Sequence, residues 1–392
     1  MKRFVLSLLA FYFFLLLETV FLLPSAAAQG LSEPSAGSVV CSYSRFYKPV
    51  EGECLMAGPV AYREKLAQLG ITLPIQRLVA TPLDASYARV NFNYMWVRDE
   101  LRRVPVFASL DDAVQKSNPV NFLETNFSYI TYREIVEVQG GKYVLTDSGL
   151  WVQRGWVTPV AVPGPLGLVF NRSPSSDFGW MFDRVQPKRT PGYTHLDTVE
   201  DEVLQPNQVV SVYAVQVIDG IEWNMIAPDR WVEGRYINRV ALNTTPPEAV
   251  DNGRWVEINL YEQTLSVYDN RKLVFATLIA SGLEPLWTRP GLFPINQKLE
   301  STPMSGSFSA DRSDYYYLEN VPWTMYFDEA RALHGAYWRT KLGHPQSHGC
   351  VNLTVGDARW VFDWAKEGDW VYVWDPSGKT PTDPASYGAG GA

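Results

Sequence analysis

The chain has 392 residues, of which 46% are hydrophobic and 19% charged. That is enough for two or three domains with ordinary globular cores. Its net charge of −8, with no clustered run of Lys and Arg, excludes nucleic acid as a partner. Aromatic residues make up 14% of the chain and gather in Tyr- and Trp-rich runs that favour strands over helices.

Lys2 and Arg3 precede an apolar run over residues 4–17, which resumes after Glu18 as far as Leu23. Small residues follow at Ala26, Ala27 and Ala28. This is the pattern of a secretory signal peptide over 1–28, cleaved after Ala28, which predicts export to the cell envelope or beyond. The alternative is a retained signal anchor, because the run approaches the length of a span. No later segment is apolar for long enough to cross a membrane, so none is expected after cleavage. In the segment 29–87, Cys41 and Cys54 are expected to close a short disulfide loop in an oxidising compartment, which leaves Cys350 over. Residues 62–70 read as a short helix stopped by Gly70.

From Ser86 onward the texture is β-rich, with short apolar runs broken by Gly, Pro, Asn and Asp. A repeat spans 88–161 and 178–242. Each unit has a hairpin, at Gly140–Gly141 and at Asp219–Gly220, followed by a Trp-Val strand. Trp151-Val152 and Trp231-Val232 lie 80 residues apart (151 to 231). The units resemble small SH3-like β-barrel modules, for which glycan or peptide contacts are the expected use; one larger β-domain is the alternative. Residues 243–253 read as a linker. Strands are expected at 255–260, half-buried by its alternation, and at 264–268 and 272–279 about a turn at Asp269–Asn270. The tail 375–392, rich in Pro, Gly, Ser and Thr, is expected to lack structure.

The chemistry gathers at His334-Gly335-Ala336-Tyr337-Trp338 and Ser347-His348-Gly349-Cys350-Val351-Asn352-Leu353. A thiol attacks as thiolate, and a nearby imidazole is the usual means of forming it. His348, two residues from Cys350, would point parallel to it on a strand. His334 arrives from another segment and can be aimed at the sulfur. Zinc is a competing use for His334, His344, His348 and Cys350, but Gly343, Pro345 and Gly349 break any helix that would align them, and the spacing matches no zinc signature. No metal or cofactor is expected.

Residues 254–374 resemble the L,D-transpeptidase catalytic domain, also called YkuD-like. The resemblance runs through Glu262-Gln263, Ser281-Gly282, Thr288-Arg289-Pro290-Gly291, residues 321–327, 333–338 and 347–353, and residues 357–360. It implies a mainly β fold with a sandwich-like catalytic domain. It also implies that Cys350 is the nucleophile, that His334 donates and accepts the proton, and that the Gly335 carbonyl orients the imidazole. Backbone N–H groups around His348, Gly349 and Cys350 would form the oxyanion hole, with Ser347 and Asn352 as supports. Tyr326, Tyr337, Trp338 and Arg339 would meet the substrate; Arg339 stands where the family often carries a further His. The implied substrate is the peptide stem of peptidoglycan. Cys350 would take the acyl group with release of terminal D-alanine, and another stem's amine would complete a 3→3 cross-link. Water or a protein Lys as acceptor would make a carboxypeptidase or a wall anchor instead. An NlpC-type wall peptidase places its Cys before its His, and here the order is reversed. A wall-binding protein without catalysis would be marked by loss of Cys350 or His334, and both are present.

Overall fold

A computed structural model describes residues 59–387, except 72–74, 99, 101–102, 194–196, 308 and 310. The signal segment and the Cys41–Cys54 pair lie outside the described residues. The chain divides into two compact units, Met1–Gly70 and Ile71–Ala392. In the first unit a helix spans Pro59–Gln68. It starts earlier than residue 62 because proline suits the first helical turn, where its missing N–H has no partner to lose. Gly70, at φ +76°, ends it.

The second unit is built on strands, here labelled β1 (Asn93–Val97), β2 (Phe127–Val138), β3 (Trp255–Asn259), β4 (Thr264–Asp269), β5 (Lys272–Leu278), β6 (Gln297–Gly306), β7 (Tyr316–Asp328), β8 (Arg331–Gly335), β9 (Val351–Leu353) and β10 (Trp370–Trp374). One sheet runs in the order Thr81–Pro82, Leu168–Val169, β5, β4, β3, β10, Gly291–Pro294. The other runs β9, β8, β7, β2, β1, Val157–Val160, with β6 also paired to β7. Val256, Ile258, Leu265, Val267 and Phe275 of the first sheet share a core with Met325, Phe327, Leu333, Val351 and Leu353 of the second. The helix Val355–Trp364 adds Ala358 and Val361 to it. At about 1.5–3 kcal/mol for each large aliphatic or aromatic side chain removed from water, this layer is the main stabiliser of the sandwich.

The alternation of β3 predicts one wet face, yet all five of its residues are buried. Leu168, Phe178, Trp180, Val240 and Val250 cover its outer face, where Trp255 stacks on Tyr268 at 4.4 Å. Glu257, on that covered face, is held by Trp255 Nε1 and Asn243 Nδ2, each donating at 3.2 Å.

Upstream, Met95, Val97, Val104, Val106, Ile130, Val144, Val152 and Val157 form one local core. Met181, Leu204, Val212, Ile226, Val232 and Ile237 form another. The first group of strands also pairs outside itself. There β2 pairs in parallel with β7, Phe127 opposite Tyr316 and Tyr129 opposite Leu318. Aromatic packing favours that seam, since the ring of Tyr129 meets those of Tyr337 and Trp338 at 5.9 and 6.3 Å. The hairpin turns hold Gln139–Gly140 and Asp219–Gly220 at positive φ, as two-residue turns between twisted strands require. The first lies one residue earlier than expected. The tail is described to Tyr387, where Thr380 N–H and its hydroxyl both donate to Asp375 and Arg331 lies over the Tyr387 ring.

Candidate active site

Adjacent parallel strands bring the two candidate catalytic residues together. β8 pairs with β9 so that His334 stands opposite Asn352. Because alternate residues of a strand share a face, Cys350, Asn352 and His334 project to one side. They line a pocket of about 40 Å³ with Ser347, His348, Trp338 and Arg339.

The Ser347–Cys350 turn is set by local chemistry. Gly349 has φ +124°, a conformation that side chains disfavour. Its carbonyl accepts from Thr288 Oγ1 at 2.8 Å, and the same Thr288 oxygen accepts from Gly282 N–H at 2.9 Å. Gly349 N–H donates to Ser347 Oγ at 3.1 Å, and Ser347 Oγ donates to the Cys350 carbonyl. The Gly349 N–H, expected among the oxyanion donors, is therefore turned inward onto Ser347. On the far side of the turn, Gln263 Nε2 donates to Ser281 Oγ at 2.7 Å, and its Oε1 accepts from Ser281 N–H at 2.9 Å.

His334 is buried, with Nδ1 3.4 Å from the Gly335 carbonyl. A carbonyl only accepts, so this contact assigns the proton to Nδ1 and leaves Nε2 as the basic nitrogen. Nε2 lies 3.4 Å from Asn352 Nδ2. Arg339 fixes that amide's orientation, because its Nε donates to Asn352 Oδ1 at 2.6 Å. The other arms of Arg339 donate to Gln346 Oε1 and to the Gln346 carbonyl, at 3.0 and 2.7 Å. Arg339 lines the pocket and, through Asn352, also orders the amide that faces the base.

Burial pushes His334 down to about 4, with the Arg339 charge acting in the same direction and the Gly335 carbonyl against it. Burial pushes the Cys350 thiol up to about 11, against pulls from the Ala332 backbone and the Arg331 charge. Cys350 Sγ donates to the Ala330 carbonyl at 3.6 Å. At neutral pH these shifts favour a thiol beside a neutral imidazole in the resting pair. Desolvation outweighs the neighbouring charges.

The remaining expected residues fall into two groups. Trp338 lines the pocket, its ring 5.7 Å from that of His334. Tyr326 is half-buried and close enough to Cys350 for that group's charge to act on its phenol. His348 stacks on Tyr316 at 5.3 Å, which holds its ring against β7. Tyr337 does not reach the pocket. It is fully buried, stacked on Tyr94 at 3.5 Å, and its hydroxyl donates to the Glu319 carbonyl. Sequence reasoning missed Phe127, Met304, Tyr316 and Leu318, which complete the lining. Met304, Tyr316 and Leu318 sit in strand-like runs without a motif. Phe127 comes from β2, whose pairing with β7 no local pattern announces. Arg331, paired with Asp328 at 3.0 Å, was also missed.

Residues 253–373 match the YkuD family model, the L,D-transpeptidase catalytic domain. The chain is 24% identical over 135 residues to YciB of Bacillus subtilis (strain 168), which covers 30% of this chain and 63% of that protein. It is similar to the crystal structure of a mutant Enterococcus faecium L,D-transpeptidase, at 23% identity and TM-score 0.29, covering 31% of this chain and 50% of the other. An L,D-transpeptidase from Mycobacterium smegmatis aligns at 15% identity and TM-score 0.30, over 55% of this chain and 93% of its own. The matched YkuD segment contains Cys350, His334, Asn352 and Arg339 together with the Gly349 turn.

Proposed function

We propose that this protein is an L,D-transpeptidase that forms 3→3 cross-links between peptidoglycan stems through a Cys350 acyl-enzyme, acting outside the cytoplasm after export. The observation that carries this reading is the shared pocket of His334, on β8, and Cys350, in the turn that enters β9, inside the segment that matches the catalytic-domain model. In the first half-reaction Cys350 Sγ bonds to the carbonyl carbon of the third stem residue as His334 Nε2 takes the thiol proton. The peptide bond breaks, and the leaving D-alanine amine receives that proton. In the second, a side-chain amine of another stem attacks the thioester and gives a proton to His334, which returns it to the sulfur. Nε2 must exchange its Asn352 partner for the thiol as substrate enters, a tightening usual when a catalytic pair meets its substrate. The Ser347–Cys350 turn stabilises the oxyanion without the Gly349 N–H.

The test is mass spectrometry of muropeptides after incubation with the purified mature chain. Cross-linked dimers and free D-alanine are expected with the parent and neither with Cys350→Ala. A carbapenem, used as a covalent probe, should label the parent at Cys350 and leave the variant unlabelled. Labelling or cross-linking that persists in the variant would remove Cys350 from the mechanism.

A further inference from the structure

The two strands at the seam send alternate side chains to opposite faces, and the face away from Cys350 carries a second cavity. Phe127, Tyr316 and Leu318 line the small catalytic pocket. Ser128, Tyr317 and Glu319, their neighbours in sequence, line a cavity of about 350 Å³. Three features of its wall point to one chemistry. Ser128 is 2% exposed, and among the described residues its Oγ has no hydrogen-bond partner, which a buried polar atom ordinarily finds. Glu319 brings a carboxylate whose one oxygen accepts from Thr131 N–H at 2.7 Å, and burial raises its pKa. Glu124 is already paired with Arg103, and among the described residues no Lys or Arg lines the cavity, so an anion would meet like charge there. The floor is aliphatic, from Val106, Ile130 and Leu150.

We propose that this cavity binds a short peptide through a free side-chain ammonium, which pairs with Glu319 while its aliphatic stem lies along Ile130 and Leu150. The sheet separates it from Cys350, so it holds a peptide without reacting with it. The site stands apart from the proposed reaction; only calling its ligand a wall stem would rest on that reading.

Isothermal titration of the full mature chain with N-acetyl-Ala-Lys-Ala-amide tests this, beside the same peptide acetylated on the Lys side chain and a tri-N-acetylglucosamine. The free-amine peptide should bind saturably. Acetylation of the Lys, or Glu319→Gln, should weaken binding at least tenfold, and Leu150→Trp, which fills the cavity, should remove it. Near-UV circular dichroism of Glu319→Gln matching that of the parent reports that the fold is intact, so that variant decides the matter even if Leu150→Trp does not fold. Cys350→Ala should bind as the parent does, so failure of the proposed chemistry and failure of this site are read separately. No saturable binding, equal binding of the acetylated peptide, indifference to Glu319→Gln, or binding of the saccharide alone would each overturn the proposal.

Discussion

A thiol held near 11 and an imidazole held near 4 make the resting site chemically quiet. Iodoacetamide should therefore alkylate Cys350 slowly at pH 7, roughly a hundredfold slower than a free thiol, with the rate still climbing above pH 9. Mass-spectrometric alkylation rates from pH 6 to 10 would check this; a fast plateau at pH 6 would mean a resting thiolate–imidazolium pair. The Arg339 charge helps to keep His334 neutral and its Nε–H orients Asn352. In Arg339→Met the His334 pKa should rise modestly, since burial, the larger cause, remains, moving the acidic limb of the acylation pH profile to higher pH and lowering the maximal rate. An unmoved limb would reduce Arg339 to a loop brace. Cys350 and His334 were legible as a candidate pair from residue type and order, whereas the Gly335 carbonyl came only through the family resemblance. The commitments of Arg339 and Tyr337 were not legible. Whether such a side chain faces ligand or core depends on Gln346, Asn352, Tyr94 and Glu319, which only the folded chain brings near.

Among the elements, the turn before β9 carries the tightest local constraints. Thr288 links Gly282 and Gly349 through one buried hydroxyl. Thr288→Val keeps the shape and leaves a buried N–H and a carbonyl without that partner. It should cost about 2 kcal/mol in urea unfolding and slow acylation at least tenfold, because the turn that carries Cys350 loosens. A loss of stability with unchanged acylation would show that the turn holds its geometry without this bond. Sequence patterning located the strands well and their surroundings poorly. β4 and β5 fall where alternation places them, but their turn uses Asn270 and Arg271, both at positive φ, one residue later than the Asp-Asn signal. β3 alternates as a half-buried strand should, yet is buried on both faces, because Leu168, Phe178 and Trp180, from elsewhere in the chain, join Val240 and Val250 in covering it.

Over the whole molecule, two buried groups set opposing pH dependences. His334 lies below its ordinary 6.5, at about 4, so the stability linked to its neutral form is full above 6.5 and is lost as pH falls towards 4. Glu262 lies above its ordinary 4.5, raised by burial to about 7 against the Arg239 contacts. Its contribution is full below 4.5 and is lost as pH rises through 7. Each amounts to roughly 3 kcal/mol, and between 4.5 and 6.5 they nearly cancel. Urea unfolding of Glu262→Gln should therefore gain about 3 kcal/mol relative to the parent as pH is raised from 4.5 to 7. A constant difference between the two chains would show that Glu262 titrates normally. The seam between β2 and β7 has a consequence for anyone who cuts the chain at residue 253. The excised piece would carry Cys350 and His334 intact, but Tyr316, Tyr317 and Leu318 would show bare amides and carbonyls along one side. Asp357, which accepts from Leu166 and Gly167 N–H groups, would lose those donors from a buried carboxylate. An open strand edge beside aromatic rings recruits other strands, so the excised piece should self-associate through the surface that β2 covers in the whole chain.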